Sequence, residues 1–322
     1  MTLRMAIVGA GHMGGLHAEK VVLATAEAEL TAVVDVHYAR AEKLAAHAGG
    51  RPFASVDDLL AVVGRSGGDL DAAIVAVPTV EHFEVVSRLL EAGLDVLVEK
   101  PIAASLTEAE RLLAMARAGG RVLQVGHLEW FNPAMQVIRD YIRRPLFVEA
   151  HRMGPFPARA TDVDIVRDLM IHDLDILQQV LGEEPERIEA VGISVLTANV
   201  DIANARITYP GGCIANLTAS RVSATPMRKL RFFQRDGYFS IDFLAQSAVV
   251  LRRELDASDR VPQIRTEKLE VDRGDALLVQ LRSFLQAVRS REKPAVDGDA
   301  GVGALRTALR VLEAMPDLHE SE

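Results

Sequence analysis

Leu3-Arg4-Met5-Ala6-Ile7-Val8-Gly9-Ala10-Gly11-His12-Met13-Gly14 decides the fold of the first half of this 322-residue chain. An apolar strand-like run meets three glycines spaced G-x-G-x-x-G, and a helical pattern follows to about Leu23. That setting is what a bare glycine motif lacks. Gly9 allows a tight turn, Gly11 lets the backbone approach a pyrophosphate, and Gly14 lets helix and strand pack closely; the helix N-terminus, carrying His12 and Met13, attracts the phosphates. A second strand, Glu29 to Val34, ends in Asp35, about 20 residues past the glycines, where a carboxylate accepts hydrogen bonds from the adenine ribose. The carboxylate favours NAD over NADP because it repels a 2′-phosphate. Arg40 lies nearby and weakens that preference slightly, although a solvated helix position explains it as well.

The strand–helix alternation continues. Ser55-Val56-Asp57-Asp58 opens a helix with a capping-box pattern. Ala72 to Val77 is a continuous apolar run of the kind that doubly covered parallel strands show, and it stops at Pro78. The helix from Val80 to Leu90, which holds His82, closes at Gly93. Leu94 to Val98 is a strand ending in Glu99-Lys100-Pro101; a helix capped by Thr107-x-x-Glu110 follows, and then Arg121 to Val125 ends at Gly126-His127. Open parallel sheets bind ligands beyond the carboxyl ends of their strands, so these termini deliver polar groups to one edge. Taken alone, Glu99-Lys100 also fits a salt-bridged strand end.

From about Phe147 the texture changes to strands separated by turns: Phe147 to Met153, Ile188 to Leu196, Ala203 to Tyr209, Cys213 to Ser220, Lys229 to Arg235, Tyr238 to Phe243 and Val249 to Leu255. Their polar–apolar alternation predicts a large, open, mostly antiparallel sheet with helices on one face. The fold expected is α/β: a Rossmann domain over residues 1–126, a substrate and oligomerisation domain over 127–299, and a C-terminal helix at 300–316 packing back on the first. Asp275 to Ser290 is a further amphipathic helix.

Within the second half, Asp168-Leu169-Met170-Ile171-His172-Asp173-Leu174-Asp175 puts acid and imidazole on an apolar helix. At about 100° per residue, Asp168, His172, Asp175 and Gln179 form one stripe, while apolar residues cover most of the remaining surface. The stripe faces solvent or lines a cavity. Asp173 falls on the apolar side and is expected to bond backbone or a basic residue.

Composition narrows the function classes. The chain is 49% hydrophobic and 25% charged, ordinary for a globular protein, with a formal net charge of -9 that gives no general attraction for nucleic acid. A single cysteine, Cys213, rules out an internal disulfide framework and fits a reducing compartment. The N-terminal residues lack the pattern of a signal peptide, and no apolar run approaches the roughly 18 residues of a membrane span. A cytoplasmic location is expected. Arg152, Arg159, Arg167, Arg221, Arg228, Lys229, Arg231 and Arg235 concentrate in the second half and suggest a pocket for a phosphate or diphosphate, with Arg159 and Arg221 favoured because they sit in loops or at strand ends.

With Gly9-Ala10-Gly11, Glu99-Lys100-Pro101, Gly126-His127 and Asp168-x-x-x-His172-Asp173 together, the chain resembles the glucose–fructose oxidoreductase and inositol dehydrogenase family over nearly its whole length. The resemblance implies Lys100, Asp168 and His172 at the substrate. It places Pro78, His82 and Glu99 near the nicotinamide or its ribose, makes Lys100 and His127 further cofactor contacts, and suggests a cis peptide before Pro101. Gly126 to Ala134, with Asn132 as a substrate contact, and the segment from Asp168 to Asp173 resemble more narrowly the bacterial enzymes that oxidise carbon 3 of UDP-N-acetylglucosamine on the way to a 3-amino sugar for lipid A. Trp130 departs from that pattern, standing where a basic residue is expected.

On this resemblance NAD accepts hydride while the protein removes a hydroxyl proton. The ordinary histidine pKa of about 6.5 suits a base near neutrality, whereas the lysine value of about 10.4 does not. His172 is therefore assigned as base, Lys100 as the donor that polarises the oxygen, and Asp168 as the group that orients them; the first two roles can be exchanged or shared. Arg159, Arg221, Asn132 and Asp175 are the candidate substrate contacts, and no metal is expected. Expected partners are a small UDP-sugar and further copies of the chain, as a homodimer or homotetramer through the open sheet. Competing readings are a dehydrogenase of a free sugar or inositol, a metal-dependent enzyme using His172 and Asp168 with His151 or His127, and an NAD-binding regulator without turnover.

Overall fold

Short strands that are apolar along their whole length can be buried on both faces only beneath helices, which requires parallel pairing. Strands β1 (Leu3–Val8), β2 (Ala28–Val34), β3 (Arg51–Phe53), β4 (Ala72–Val75), β5 (Asp95–Val98) and β6 (Leu123–Val125) pair in this way, in the order β3-β2-β1-β4-β5-β6. Helices α1 (His12–Leu23), α2 (Tyr38–Ala48), α3 (Val56–Ser66), α4 (Thr79–Glu91) and α5 (Leu106–Gly119) are the crossovers. Strand order reverses between β1 and β4, the switch point at which such sheets open a crevice for a ligand. These features come from a computed structural model that describes residues 2–66, 70–156, 163–254 and 263–316.

Local chemistry sets the helix starts. The Ser55 hydroxyl accepts the Asp58 N–H at 3.1 Å and donates to its carboxylate, as the sequence suggests. Helix α5 begins two residues earlier than Thr107 implies. Ser105 is its N-cap: the Ser105 oxygen accepts from the Glu108 N–H at 3.3 Å, and the Glu108 carboxylate accepts from the Ser105 N–H at 3.1 Å.

The second unit holds α6 (Pro133–Ile138) and α7 (Ile171–Leu181), the latter preceded by a π-helical turn, Val166–Met170. Its sheet has eight strands, β7 (Phe147–Met153), β8 (Arg187–Ile193), β9 (Ile202–Thr208), β10 (Ile214–Ser220), β11 (Met227–Phe233), β12 (Gly237–Asp242), β13 (Ser247–Glu254) and β14 (Gln263–Leu269). Their order is β14-β13-β12-β11-β7-β10-β9-β8, and every neighbouring pair is antiparallel except β7 with β10. Alternate residues such as Val148, Ala150, Leu217 and Phe232 join Ile171, Leu174 and Leu177 of α7 in one core. The opposite face carries Phe147, Phe233 and Tyr238, whose rings lie 5.4 and 4.9 Å apart in succession.

The chain then returns to the first unit, sooner than the amphipathic patterns indicate. By internal contacts the first unit is Met1–Leu128 with Ala276–Val302, and the second is Glu129–Asp275 with Gly303–Glu322. Helix α8 (Ala276–Ser290) places Leu281, Phe284, Leu285 and Val288 in the core that contains Met5, Ile7 and Leu97. Helix α9 (Gly298–Glu313) starts against the first sheet, where a β-carbon on Gly301 would stand 2.5 Å from Val125. Its later residues Ala304, Ala308 and Val311 belong to the second core. The expected return of 300–316 to the first domain is therefore corrected: α8 makes that return, and the body of α9 does not. No described helix is long and apolar enough to cross a membrane.

If α8 completes the first core, Phe284→Ala should remove about 3–5 kcal/mol of stability. Urea unfolding measures this, and a loss below about 1 kcal/mol would take α8 out of that core.

Candidate active site

Because β1, β2, β4, β5 and β6 run parallel, the residues that follow each of them reach one edge of the first sheet. Gly9 follows β1 at φ +97°, and a β-carbon there would lie 2.5 Å from the Ala76 carbonyl oxygen beyond β4. Gly14 is tighter still: its β-carbon would stand 1.8 Å from the Gly9 oxygen. Nothing lies within 4 Å of the β-carbon position of Gly11. The first and third glycines are thus required by the fold, and the second leaves an open cradle at the N-terminus of α1.

That cradle opens on a cavity of about 750 Å³ lined by Gly9, Gly11, His12, Met13, Asp35, Arg40 and Pro78, among others. The Asp35 carboxylate accepts the N–H of Ala10 on one oxygen and the N–H of His37 on the other, both at 2.8 Å. Each oxygen keeps acceptor capacity for a ribose hydroxyl. An open glycine cradle, a helix N-terminus and an anchored carboxylate on one cavity fit the pyrophosphate and ribose of NAD.

At the end of β5, Glu99 and Lys100 precede a cis peptide to Pro101. The Glu99 carboxylate meets Nε2 of His17 at 2.7 Å, and His17 itself is buried. Sequence reasoning missed His17; its signal is its position one turn into the helix that follows the glycines. His82 is turned toward the backbone. It is buried, with Nδ1 2.8 Å from the Pro101 oxygen and Nε2 3.0 Å from the Val77 oxygen; a neutral ring has one N–H, so it donates to one of these carbonyls and ties down the chain just past a strand end. Burial pushes the His82 pKa down, against the pull of those carbonyls. His127 is buried after β6, and burial together with the Lys100 charge pushes its pKa to about 3, so it is a neutral imidazole at physiological pH. The lining also includes Glu81, Glu84 and Arg88 of α4, which the sequence reading did not select.

In the second unit, Asp168 lies in the π turn and His172 in the first turn of α7, both half-buried. Four residues make slightly more than one α-helical turn, and a π turn takes more residues to close. The π segment therefore brings Asp168 and His172 nearer to one line down the helix than a regular helix does. Asp173 faces the core, where its two oxygens take Nε and one terminal nitrogen of Arg152 at 3.0 and 2.8 Å.

Several expected substrate contacts prove to be internal. Asp175 is fully buried and accepts a hydrogen bond from Gln179 at 2.8 Å; burial, only partly opposed by that bond, pushes its pKa up to about 8. Asn132 is the N-cap of α6, accepting from the Ala134 N–H and donating to the Phe243 oxygen. Arg221 is 1% exposed, paired with buried Asp201 at 2.9 Å and donating to the oxygens of Val163 and Val200. Arg159 lies outside the described residues. The wider cationic cluster is paired as well: Arg152 is buried against Asp173, while Arg167, Arg228, Lys229 and Arg231 face carboxylates from partly exposed positions. Among the described residues no group of three or more His, Cys, Asp or Glu side chains is arranged to hold a metal ion.

A family model described as an oxidoreductase family with an NAD-binding Rossmann fold matches residues 3–127, and the GFO/IDH/MocA C-terminal domain model matches residues 140–240. The chain belongs to the GFO/IDH/MocA oxidoreductases. Within that family it is 37% identical to the UDP-N-acetylglucosamine 3-dehydrogenase of Acidithiobacillus ferrooxidans, over 97% of each chain. It is 27% identical to the scyllo-inositol 2-dehydrogenase (NAD(+)) of Bacillus subtilis, over 93% of this chain and 90% of the relative. A solved structure of the Acidithiobacillus enzyme superposes with a TM-score of 0.90 at 36% identity, covering 98% of both chains. A 3-ketoreductase from Actinomadura kijaniata shares the fold, with a TM-score of 0.81 at 23% identity. The oxidoreductase class and the NAD-binding Rossmann domain of the GFO/IDH/MocA family thus hold for this chain.

Two tests follow from the geometry. Gly11→Ala should fold with little change in stability yet weaken NAD by about tenfold or more, because its methyl enters an open cradle; Gly14→Ala should fail to fold stably. Calorimetric titration and thermal melts distinguish this from equal effects at both glycines. For Asp175, a folded-state pKa of about 8 lies above the unfolded value, so the native state holds an extra proton and wild-type stability falls as pH rises from about 4 to 8. Asp175→Asn should remove that decline, and parallel slopes in denaturation at several pH values would contradict the burial argument.

Proposed function

We propose that this oxidoreductase oxidises carbon 3 of UDP-N-acetylglucosamine to a ketone with NAD, supplying a 3-keto nucleotide sugar that an aminotransferase converts to a 3-amino sugar for lipid A. The observation that carries the substrate is the 37% identity over 97% of both chains to an enzyme of that name. The chemistry rests on this chain's own residues. His172 takes the hydroxyl proton, Lys100 donates a hydrogen bond to the same oxygen and lowers the alcohol pKa, and Asp168 orients these groups. NAD+, when bound, supplies the hydride acceptor, so alcohol and NAD+ become ketone, NADH and a proton. His12 and Met13 contribute to the phosphate cradle, Asp35 holds the adenine ribose, and Glu99, steadied by His17, borders the nicotinamide ribose with Pro78.

We place the enzyme in the cytoplasm, in keeping with a lone buried thiol and a nucleotide-sugar substrate. The uncovered face of the eight-stranded sheet, with its Phe147, Phe233 and Tyr238 patch, supports assembly of a homodimer or homotetramer.

Single-turnover NADH formation tests the assignment. UDP-N-acetylglucosamine should react while myo-inositol and free N-acetylglucosamine do not. His172→Ala and Lys100→Ala should each cut the rate at least about a hundredfold while leaving NAD affinity within about twofold of wild type. A preference for inositol would move the substrate to a free polyol, and a near-normal rate in either variant would remove that residue's role.

A further inference from the structure

We propose that the buried Glu129–Arg152–Asp173 network positions His172 for proton transfer, with Arg152 as the positioning residue. The proposal rests on the reading of His172 as the base. Arg152 projects from β7, in the middle of the eight-stranded sheet, and its side chain is 2% exposed. Nε and one terminal nitrogen grip Asp173 as a fork, at 3.0 and 2.8 Å. The other terminal nitrogen donates to Glu129 at 2.6 Å, in the one-turn helix Leu128–Phe131 that follows His127. Arg228, the cross-strand partner of Arg152, reaches the same Glu129 oxygen at 3.5 Å, and the Phe243 ring centroid lies 5.5 Å from the Arg152 guanidinium carbon.

Three features argue that the network sets geometry more than it stabilises the fold. The helix is irregular where His172 sits: a π turn, Val166–Met170, capped by the Asp164 carboxylate on the Arg167 N–H at 2.9 Å, passes directly into α7, and this change of winding leaves the rotation of the first α7 turn to be set by side-chain contacts. Asp173 is the residue next to His172, and a bidentate arginine fork fixes both distance and plane. A buried ion network gains little stability over well-packed apolar residues of equal volume, because desolvation offsets its attraction. The guanidinium nevertheless remains charged: burial disfavours the charge, but Asp173 and Glu129 outweigh it and hold the pKa above its usual value. The fork thus ties the height and rotation of the His172 turn to the central strand of the sheet.

The network can be replaced as a unit by Glu129→Met, Arg152→Met and Asp173→Leu together. The expected result is an enzyme at least as stable as wild type, with NAD affinity within about twofold and hydride transfer to NAD from UDP-N-acetylglucosamine slowed about a hundredfold, as for a displacement of about 1 Å. In a His172→Ala background the same triple change should slow the residual rate by no more than about twofold. A folded triple variant with a wild-type rate overturns the proposal, and so does a full further loss in the His172→Ala background. Should the triple variant fail to fold, Arg152→Ala with added guanidinium ion decides. Recovery of at least about a tenth of the rate supports the proposal, and a rate that stays low, whether or not stability returns, overturns it. His172→Ala alone separates the two readings: a normal rate there refutes His172 as base whatever the network variants do.

Discussion

Parallel pairing obliges every strand of the first sheet to end at the same edge, and the chemistry of the first unit follows from that constraint. Gly9, Asp35, Pro78, Glu99 and His127 are far apart in sequence, yet each follows a strand whose neighbours run the same way. Close packing of α1 on β1, which only a glycine at position 14 permits, then directs the helix N-terminus at that edge. The dinucleotide site is therefore a consequence of topology and three glycines. Few side-chain contacts are needed to define it.

The second unit solves a different problem, which is to hold polar groups inside an apolar layer. Its arginines meet carboxylates from within the unit: Arg221 with Asp201, Arg152 with Asp173 and Glu129, Arg231 with Glu149. A basic cluster in an acidic chain suggested an anion pocket, but Arg152 and Arg221 are buried struts, and Arg167, Arg228, Lys229 and Arg231 pair with carboxylates from partly exposed positions. What remains on the helix that begins with a π turn is the half-buried pair Asp168 and His172, flanked by the fully buried Asp173 and Asp175. Burial divides the roles of these four acids and bases more sharply than their spacing does.

Sequence was most legible where a local pattern has one physical solution. The glycine turn, Asp35 and the apolar run ending at Pro78 required a parallel nucleotide-binding sheet, and polar–apolar alternation after Phe147 required an open antiparallel one. It was least legible where the partner is distant. Nothing adjacent to Asn132, Arg221 or His82 announces Phe243, Asp201 or Pro101 as the group each would bond. Strand β14 escaped notice because six of its seven residues are exposed and charged or polar residues run through both faces, leaving no alternation to read. Helices α8 and α9 are both amphipathic, and amphipathicity says that a face is buried without saying in which core.

In the proposed reaction, hydride moves from carbon 3 of a UDP-linked sugar to NAD. Its most direct test is one turnover with UDP-N-acetylglucosamine carrying deuterium at carbon 3, followed by mass analysis of the cofactor. The expected product is reduced nicotinamide carrying one deuterium, formed stoichiometrically with a 3-keto sugar. Reduced cofactor without deuterium would place oxidation at another carbon, and no reduced cofactor at all from a protein that binds NAD and the nucleotide sugar would refute the proposed reaction.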